Sequence, residues 1–253
     1  MKRFAVLSDI HGNLLALEAI LSDVQAQGTP DAYWVLGDLA VFGPRPVEAL
    51  ARLRALPHVA FLQGNTDRYL VTGRRPVFFV RTPDDWARMP TQLAQRDANF
   101  RWTVERLPWA DYEFLRDLPT RLEMNVPEYG RIVAVHAVPG NDETSLYPTT
   151  SADQVRPHLA GLDAHLLLCG HTHRPMDRVV DSVRLVNDGS VGLPLDGDPH
   201  PAYALLDFEG DQCTVTIRRV AYDLELVVAE LEQVEHPARA WVSQTLRHAA
   251  LGG

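Results

Sequence analysis

Cysteine is nearly absent from this 253-residue chain. Only Cys169 and Cys213 are present, too few for a disulfide framework and without the paired spacing of a metal site, so a reducing cytoplasm is the expected location. No apolar run approaches the ~18 residues of a membrane span. The chain passes from Met1 straight into a strand pattern, with no charged-then-apolar leader. Basic charge is also in short supply: 24 Lys and Arg against 33 Asp and Glu leave a formal net charge of −9. That balance argues against polymeric nucleic acid as a partner, which needs a basic face. It leaves an anionic small molecule open, because a locally cationic pocket matters more there than the global sum. Repeats and low-complexity tracts are missing as well. What remains, 46% hydrophobic and 23% charged, is ordinary globular composition, enough for a single domain spanning residues 1–253 around a buried core.

What the chain does hold is a series of short polar motifs, each closing an apolar run that reads as a strand. They are Asp9 and His11 in Ser8-Asp9-Ile10-His11-Gly12-Asn13, Asp38 in Leu36-Gly37-Asp38-Leu39, and Asn65 in Gly64-Asn65-Thr66-Asp67. His136 follows Val133-Ala134-Val135, and His171 and His173 lie in Cys169-Gly170-His171-Thr172-His173. Carboxylate, imidazole and amide donors in this number suit a pair of divalent transition-metal ions, with Asp38 able to bridge them. Taken singly, an Asp after a strand is a turn residue and a His on an apolar run is a core residue. Their joint occurrence carries the reading. Asp9 and His11, like His171 and His173, are two apart and share a side of an extended chain, so a fraying strand end lets each pair converge on one ion. Gly37, Gly64 and Gly170 precede ligands where sharp turns favour glycine.

Between these motifs, strands over Arg3–Ser8, Tyr33–Leu36 and Val59–Leu62 alternate with two helices. One runs from Leu14 to about Gln27, capped by Asn13 and ended by Gly28; the other runs from Pro46 to about Leu56. This is the pattern of parallel strands with helical crossovers. The segment 71–118 breaks the rhythm and reads as an inserted helical cap, with helices over Asp97–Leu107 and Ala110–Leu118. Nine of the twenty aromatics lie between Tyr69 and Phe114, and seven Arg face four acidic residues between Gly73 and Arg106. Such residues stack on bases and pair with phosphates, or else pack the cap and solvate its surface. Arg74 and Arg75, near the root of the cap, offer fork-like donors to a distal phosphate. A hairpin over Arg121–Val126 and Arg131–His136 follows, then a short helix capped by Ser151 and a strand over His165–Cys169. Short strands over 178–219 suggest a second sheet. Helices over Leu224–Val234 and Pro237–His248 close the chain, packing on the sheet or forming a dimer face. His200, in a polar loop, is the one further histidine to watch.

The order and wording of the motifs resemble the calcineurin-like metallophosphoesterases, in the bacterial and archaeal branch that includes small phosphodiesterases and diadenosine tetraphosphate hydrolases. The resemblance runs from Lys2 to about Pro194 and takes in the closing loop Asn187–Pro194, with Asp188 where the family often has Pro. It implies an α/β fold: a four-layer α/β/β/α sandwich of two mixed sheets flanked by helices, with a small helical cap insertion. It also implies one ion on Asp9, His11, Asp38 and His173 and a second on Asp38, Asn65, His136 and His171, with a hydroxide bridging the ions as nucleophile. Manganese is the first expectation, and Fe, Ni, Co and Zn are compatible. The implied function is hydrolysis of a phosphodiester or phosphoanhydride, with a nucleotide as expected substrate, by a monomer or homodimer. Asp38, Asn65 and Asp67 are the expected catalytic residues, and Asn13, Asn65 and Arg68 the expected substrate contacts. Many relatives carry His after the Asn, as a proton donor to the leaving oxygen. Here Thr66 stands in that place, which disfavours alkyl monoesters. A phosphomonoesterase or protein phosphatase of the same fold, and a non-catalytic scaffold that keeps the metal site, are the competing readings.

Overall fold

The apolar residues of β1 (Lys2–Leu7) alternate between two buried environments, and this organises the fold. Phe4 and Val6 enter one core cluster while Ala5 and Leu7 enter another, as the period-2 geometry of a strand requires. The computed structural model describes residues 2–75 and 80–250, so residues 76–79 of the segment read as a cap fall outside it. α1 (Leu14–Gln27) starts at Asn13, whose side chain accepts from Ala16 N–H, and buries Leu17, Ile20, Leu21 and Val24 at helical spacing. β2 (Ala32–Val35) and β3 (Val59–Phe61) follow, with α2 (Pro46–Arg54) between them. β1, β2 and β3 pair in parallel, so their C-terminal ends lie on one side of the molecule.

Three helices separate β3 from the next strand: α3 (Asn65–Thr72), α4 (Pro83–Val104) and α5 (Trp109–Arg116). α4 begins well before the expected Asp97. Thr82 and Asp85 form a reciprocal capping box, and Pro83 occupies the first turn. The early part of α4 has no buried face, and only Asn99, Phe100, Trp102 and Thr103 are buried. Apolar periodicity therefore marked the last turns alone.

β4 (Arg121–Val126) and β5 (Gly130–Val135) make the expected hairpin; α6 (Ala152–Leu159) and β6 (Leu166–Cys169) follow. The strands over 178–219 do not form a sheet of their own. β7 (Met176–Val180) and β8 (Val183–Asn187) join β4, β5 and β6 in the order β4-β5-β6-β8-β7. β9 (Ala202–Glu209) and β10 (Gln212–Arg219) return to the first sheet, whose order is β10-β9-β1-β2-β3. Strand alternation is a local signal and does not say which sheet a strand enters. The two five-stranded mixed sheets face each other across Phe4, Val6, Trp34, Leu36, Ile132, Leu166 and Val186. α1 and α2 cover the outer face of one sheet and α6 that of the other. The result is the expected α/β/β/α sandwich.

α7 (Leu224–Gln233) and α8 (Arg239–His248) pack Val227, Leu231, Val242 and Leu246 on Leu193, with Leu15, Phe42 and Trp241 at the edge of the cluster. Among the described residues no helix is long and apolar enough to cross a membrane. Between these helices His236 is fully buried, its ring edge-to-face on Trp102 with centroids 4.4 Å apart, and its Nδ1 accepts from Ala238 N–H. Burial, then the charges of Arg106 and Arg239, pushes the imidazole down to about 4. The unfolded chain, with an ordinary His near 6.5, therefore takes up a proton first as pH falls. The stability linked to His236 is complete above pH 6.5 and is lost between 6.5 and about 4, roughly 3 kcal/mol at most. Urea denaturation at pH 7 and pH 4.5 should show this loss. His236→Phe, which keeps the ring packing, should show a smaller loss over the same interval; equal slopes would remove His236 as the cause.

Candidate metal centre

The polar motifs meet because parallel strands end together. Asp9 follows β1, Asp38 follows β2, Asn65 opens α3 after β3, His136 follows β5, and His171 and His173 follow β6. Backbone hydrogen bonds tie the strand ends: Asp9 N–H to Gly37 O, His11 N–H to Asp38 O, Gly170 N–H to His136 O and Gly192 N–H to Asp9 O. The chain does not fray into these positions. Asp9, His11, Asp38, His171 and His173 all have left-handed backbones, with φ of 54°, 50°, 56°, 65° and 55°. Non-glycine residues seldom adopt that region, at a cost of ~1–3 kcal/mol each, and strain of this kind clusters at functional sites. The sharp turn, rather than a shared strand face, aims each pair inward.

Glycine is needed here mainly for close approach. Gly37 does carry a positive φ of 89°, but Gly64 and Gly170 do not. A Cβ on Gly64 would lie 2.2 Å from Asp38 Oδ1, and one on Gly170 would lie 2.6 Å from Asp9 Oδ2. The closing loop is held as tightly, since a Cβ on Gly192 would lie 1.9 Å from Ile10 O.

The protonation of the imidazoles follows from their outer partners. A neutral ring has one N–H donor and one bare acceptor nitrogen. Nδ1–H of His11 donates to Val41 O (3.0 Å), that of His136 to Leu36 O (2.7 Å) and that of His173 to Leu193 O, while Nε2–H of His171 donates to Glu143 O (3.1 Å). The inner nitrogens therefore point at one another and at oxygen lone pairs, where a metal ion or, as at His136 in the protein alone, a second proton can take them. Nε2 of His11 is 3.2 Å from Nε2 of His173, which is 3.2 Å from Asp9 Oδ1. Asn65 Oδ1 lies 2.9 Å from His136 Nε2 and 3.0 Å from His171 Nδ1. Asp38 stands between the two groups, with Oδ2 3.8 Å from His11 Nε2 and Oδ1 3.5 Å from His136 Nε2. Asp9 Oδ1 is buried with no hydrogen-bond partner among the described residues. Acceptors this close repel unless cations lie between them, so the donor set fits divalent metal. Donor atoms of Asp9, His11, Asp38 and His173 lie within 4.8 Å of one another. In the protein alone, burial disfavours the charged ring of His136, but the Asp38 carboxylate outweighs this and holds the imidazole up at about 10. Burial and the nearby His173 hold His11 down at about 4.

Three residues expected to act on substrate are engaged by their surroundings. Asn13 is 2% exposed, and its amide is fully engaged in capping α1 and donating to Gly192 O. It joins the start of α1 to the closing loop. Asp67 is fully buried, its carboxylate accepting from the N–H groups of Asp38 (2.8 Å), Leu39 (2.9 Å) and Gly64 (3.0 Å). Burial and the Asp38 charge push it up to about 7 against these hydrogen bonds. It ties the turn carrying Asp38 to the residue before Asn65. Arg68 gives Asp142 a bidentate pair (2.6 and 2.8 Å) and also binds Glu143. Its guanidinium fixes the turn whose Glu143 carbonyl orients His171. Arg75 is likewise committed, lying 4.1 Å over the ring of Phe100. His200 pairs with Asp198 on an exposed loop, away from the cluster. Asp188 is buried beside Asp9, and burial, then that neighbouring charge, pushes its carboxyl well above the usual range.

Beside the cluster opens a cleft of about 250 Å³. One side carries His11, Asp38, Asn65, His171 and His173, together with Thr66, whose hydroxyl has no hydrogen-bond partner among the described residues. The other side is apolar: Phe42, Tyr69, Phe100, Leu193, Leu195 and Trp241, with Arg96 also lining the cleft. Sequence reading missed Phe42, Leu195 and Trp241 as lining residues, because they come from a loop after β2, the segment after the closing loop and α8, with no shared motif. The proximity of Phe42 to the Leu39 turn was the one available signal.

Comparison with known proteins agrees with this geometry. Residues 1–211 match the calcineurin-like phosphoesterase superfamily domain. The solved metallophosphoesterase of Sphaerobacter thermophilus superposes with a TM-score of 0.76 at 26% identity, covering 98% of this chain and 99% of that one. An uncharacterised protein of Methanocaldococcus jannaschii is 28% identical over 261 residues, covering 96% of both chains. A symmetrical bis(5′-nucleosyl)-tetraphosphatase of Thioalkalivibrio sulfidiphilus is 31% identical over 120 residues, 41% of this chain and 44% of that protein. The match spans less than half of that enzyme's length. Strand order, inward-facing donors and matched segment lead to one assignment: the chain belongs to the calcineurin-like phosphoesterase superfamily.

Proposed function

We propose that this protein is a dinuclear-metal hydrolase of phosphodiesters or phosphoanhydrides, with a nucleotide as substrate. The observation that carries the reading is the set of four imidazoles whose outer nitrogens are tied to carbonyls, leaving bare nitrogens aimed at Asp9, Asp38 and Asn65. Asp9, His11, Asp38 and His173 would hold one ion and Asp38, Asn65, His136 and His171 the other, with Asp38 shared. When bound, such ions supply the attacking hydroxide and neutralise charge on the phosphoryl oxygens. The chain's own contribution is positional. Asp67 fixes the backbone of Asp38, and the Thr66 N–H, which donates to Asp38 Oδ1 at 2.8 Å, fixes the shared carboxylate. Glu143 O fixes His171, and Leu193 O fixes His173. The Thr66 hydroxyl can donate a hydrogen bond to a phosphoryl oxygen, but it is no acid near pH 7.

The nucleotide assignment draws on the tetraphosphatase relative and on the aromatic side of the cleft. We read the segment 71–118 as a cap beside this cleft, because Arg96 and Phe100 of α4 line it. The test is a panel of dinucleoside polyphosphates, nucleotide diesters and monoesters assayed with Mn²⁺, Fe²⁺, Co²⁺, Ni²⁺ and Zn²⁺, beside an anomalous-scattering map at saturating metal. Two ions within bridging distance and turnover of a diester or anhydride are expected. A single ion, or no turnover with any metal, would sink the reading.

A further inference from the structure

We propose that the recess formed by Phe42, Phe100 and Trp241 is a specificity subsite for the planar heteroaromatic ring of the substrate, with Phe42 and Trp241 as the residues that select it. The inference rests on the hydrolase reading and deepens it. Nothing in metal binding calls for an apolar wall, since hydrated ions and phosphate favour polar surroundings. Yet the ring of Phe42 lies 5.2 Å from the ring of His11, 5.3 Å from Trp241 and 6.3 Å from Phe100. These three rings come from separate parts of the chain: the loop after β2, the end of α4 and the first turn of α8.

Two observations point to a ligand. Phe42 and Trp241 are only partly buried, while Phe100 behind them is 2% exposed. The wall therefore presents apolar ring surface to the cleft instead of closing on itself. Phe42 is also held at a φ of 94°, where a bulky side chain is a true outlier and strain accompanies function. Trp241 is not among the outer partners of the metal-facing imidazoles, whereas Phe42 packs against the His11 ring. The neighbouring rings pack tilted and edge-on to Phe42, inclined by 55° and 69°, so neither is stacked face to face on it. The whole cleft, its metal-facing side included, has a volume of about 250 Å³, just under the ~300–1,000 Å³ of small-molecule sites and on the scale of one mononucleotide unit. Base–aromatic stacking tolerates any base, so the subsite would read the presence of a ring more than its identity.

The test compares substrates that share a phosphoanhydride and differ in the ring. With Mn²⁺-loaded protein, Trp241→Ala should raise KM for diadenosine tetraphosphate on the order of 10- to 100-fold more than for inorganic tripolyphosphate. Trp241→Phe should restore most of the difference. A second measurement does not need turnover. AMP should quench tryptophan fluorescence of the Zn²⁺-loaded protein, ribose 5-phosphate should not, and the AMP response should vanish in Trp241→Phe while AMP still binds by calorimetry. Equal KM changes on both substrates, or an AMP quench that persists in Trp241→Phe, would overturn the subsite. If the wild type turns over neither substrate, the wider panel of diesters and metals decides the hydrolase reading, and the fluorescence result alone decides whether the recess takes a ring.

Discussion

Asp38→Asn should lower turnover about 10³-fold while leaving the protein folded, a loss of roughly 4 kcal/mol in transition-state stabilisation. Asparagine is the substitution least able to disturb the backbone. Asp38 sits at φ 56°, a region that Asn tolerates better than most residues. The retained Oδ1 can still accept the Thr66 N–H, which lies 2.8 Å away. The new amide group faces Nε2 of His11 at 3.8 Å, without a clash. What disappears is the negative charge common to both groups of ligands. Far-UV circular dichroism of the metal-free variant should match the wild type, while calorimetric titration should show weaker binding of at least one ion. Activity within tenfold of wild type would mean that Asp38 is not shared between ions.

Aryl diesters and anhydrides should be cleaved ~10²–10⁴-fold faster than alkyl monoesters, the range that general acid catalysis contributes where a proton donor is present. The residue after Asn65 is Thr66, and its side chain lines the cleft with an unpartnered hydroxyl. Asp67, the following carboxyl, is locked by three backbone N–H groups and fully buried. Neither can protonate a poor leaving group. A plot of log kcat/KM against leaving-group pKa should be steep for the wild type. Thr66→His should flatten it and raise alkyl monoesterase activity, because the position already faces the cleft. A flat wild-type plot would reveal another acid and overturn the argument.

Much of the candidate site was legible before the fold was known, because metal chemistry restricts residue type so strongly. Asp9, His11, Asp38, Asn65, His136, His171 and His173 each follow an apolar strand run, and parallel strands bring those ends together. The roles around them were not legible. Asn13, Asp67 and Arg68 carry groups able to touch a substrate, but each is consumed by hydrogen bonds to loops distant in sequence, such as Gly192 for Asn13 and Asp142 for Arg68. A side chain's type says what it can bond, and its neighbours say which bond it makes.

The same division holds for the architecture. Local periodicity, the Asn13 cap and the Ser151 cap are short-range effects written into consecutive residues, and they set the helices and strands of both sheets. By itself, then, the sequence determined the fold class, the donor set and the lack of an acid at Thr66. Tertiary structure alone decided that β9 and β10 return to the first sheet, that five ligands take left-handed backbones, and that Phe42, Phe100 and Trp241 share one recess. Those outcomes depend on contacts between residues far apart in the chain, whose energies arise from packing and burial after the chain has closed on itself. No window of sequence contains both partners.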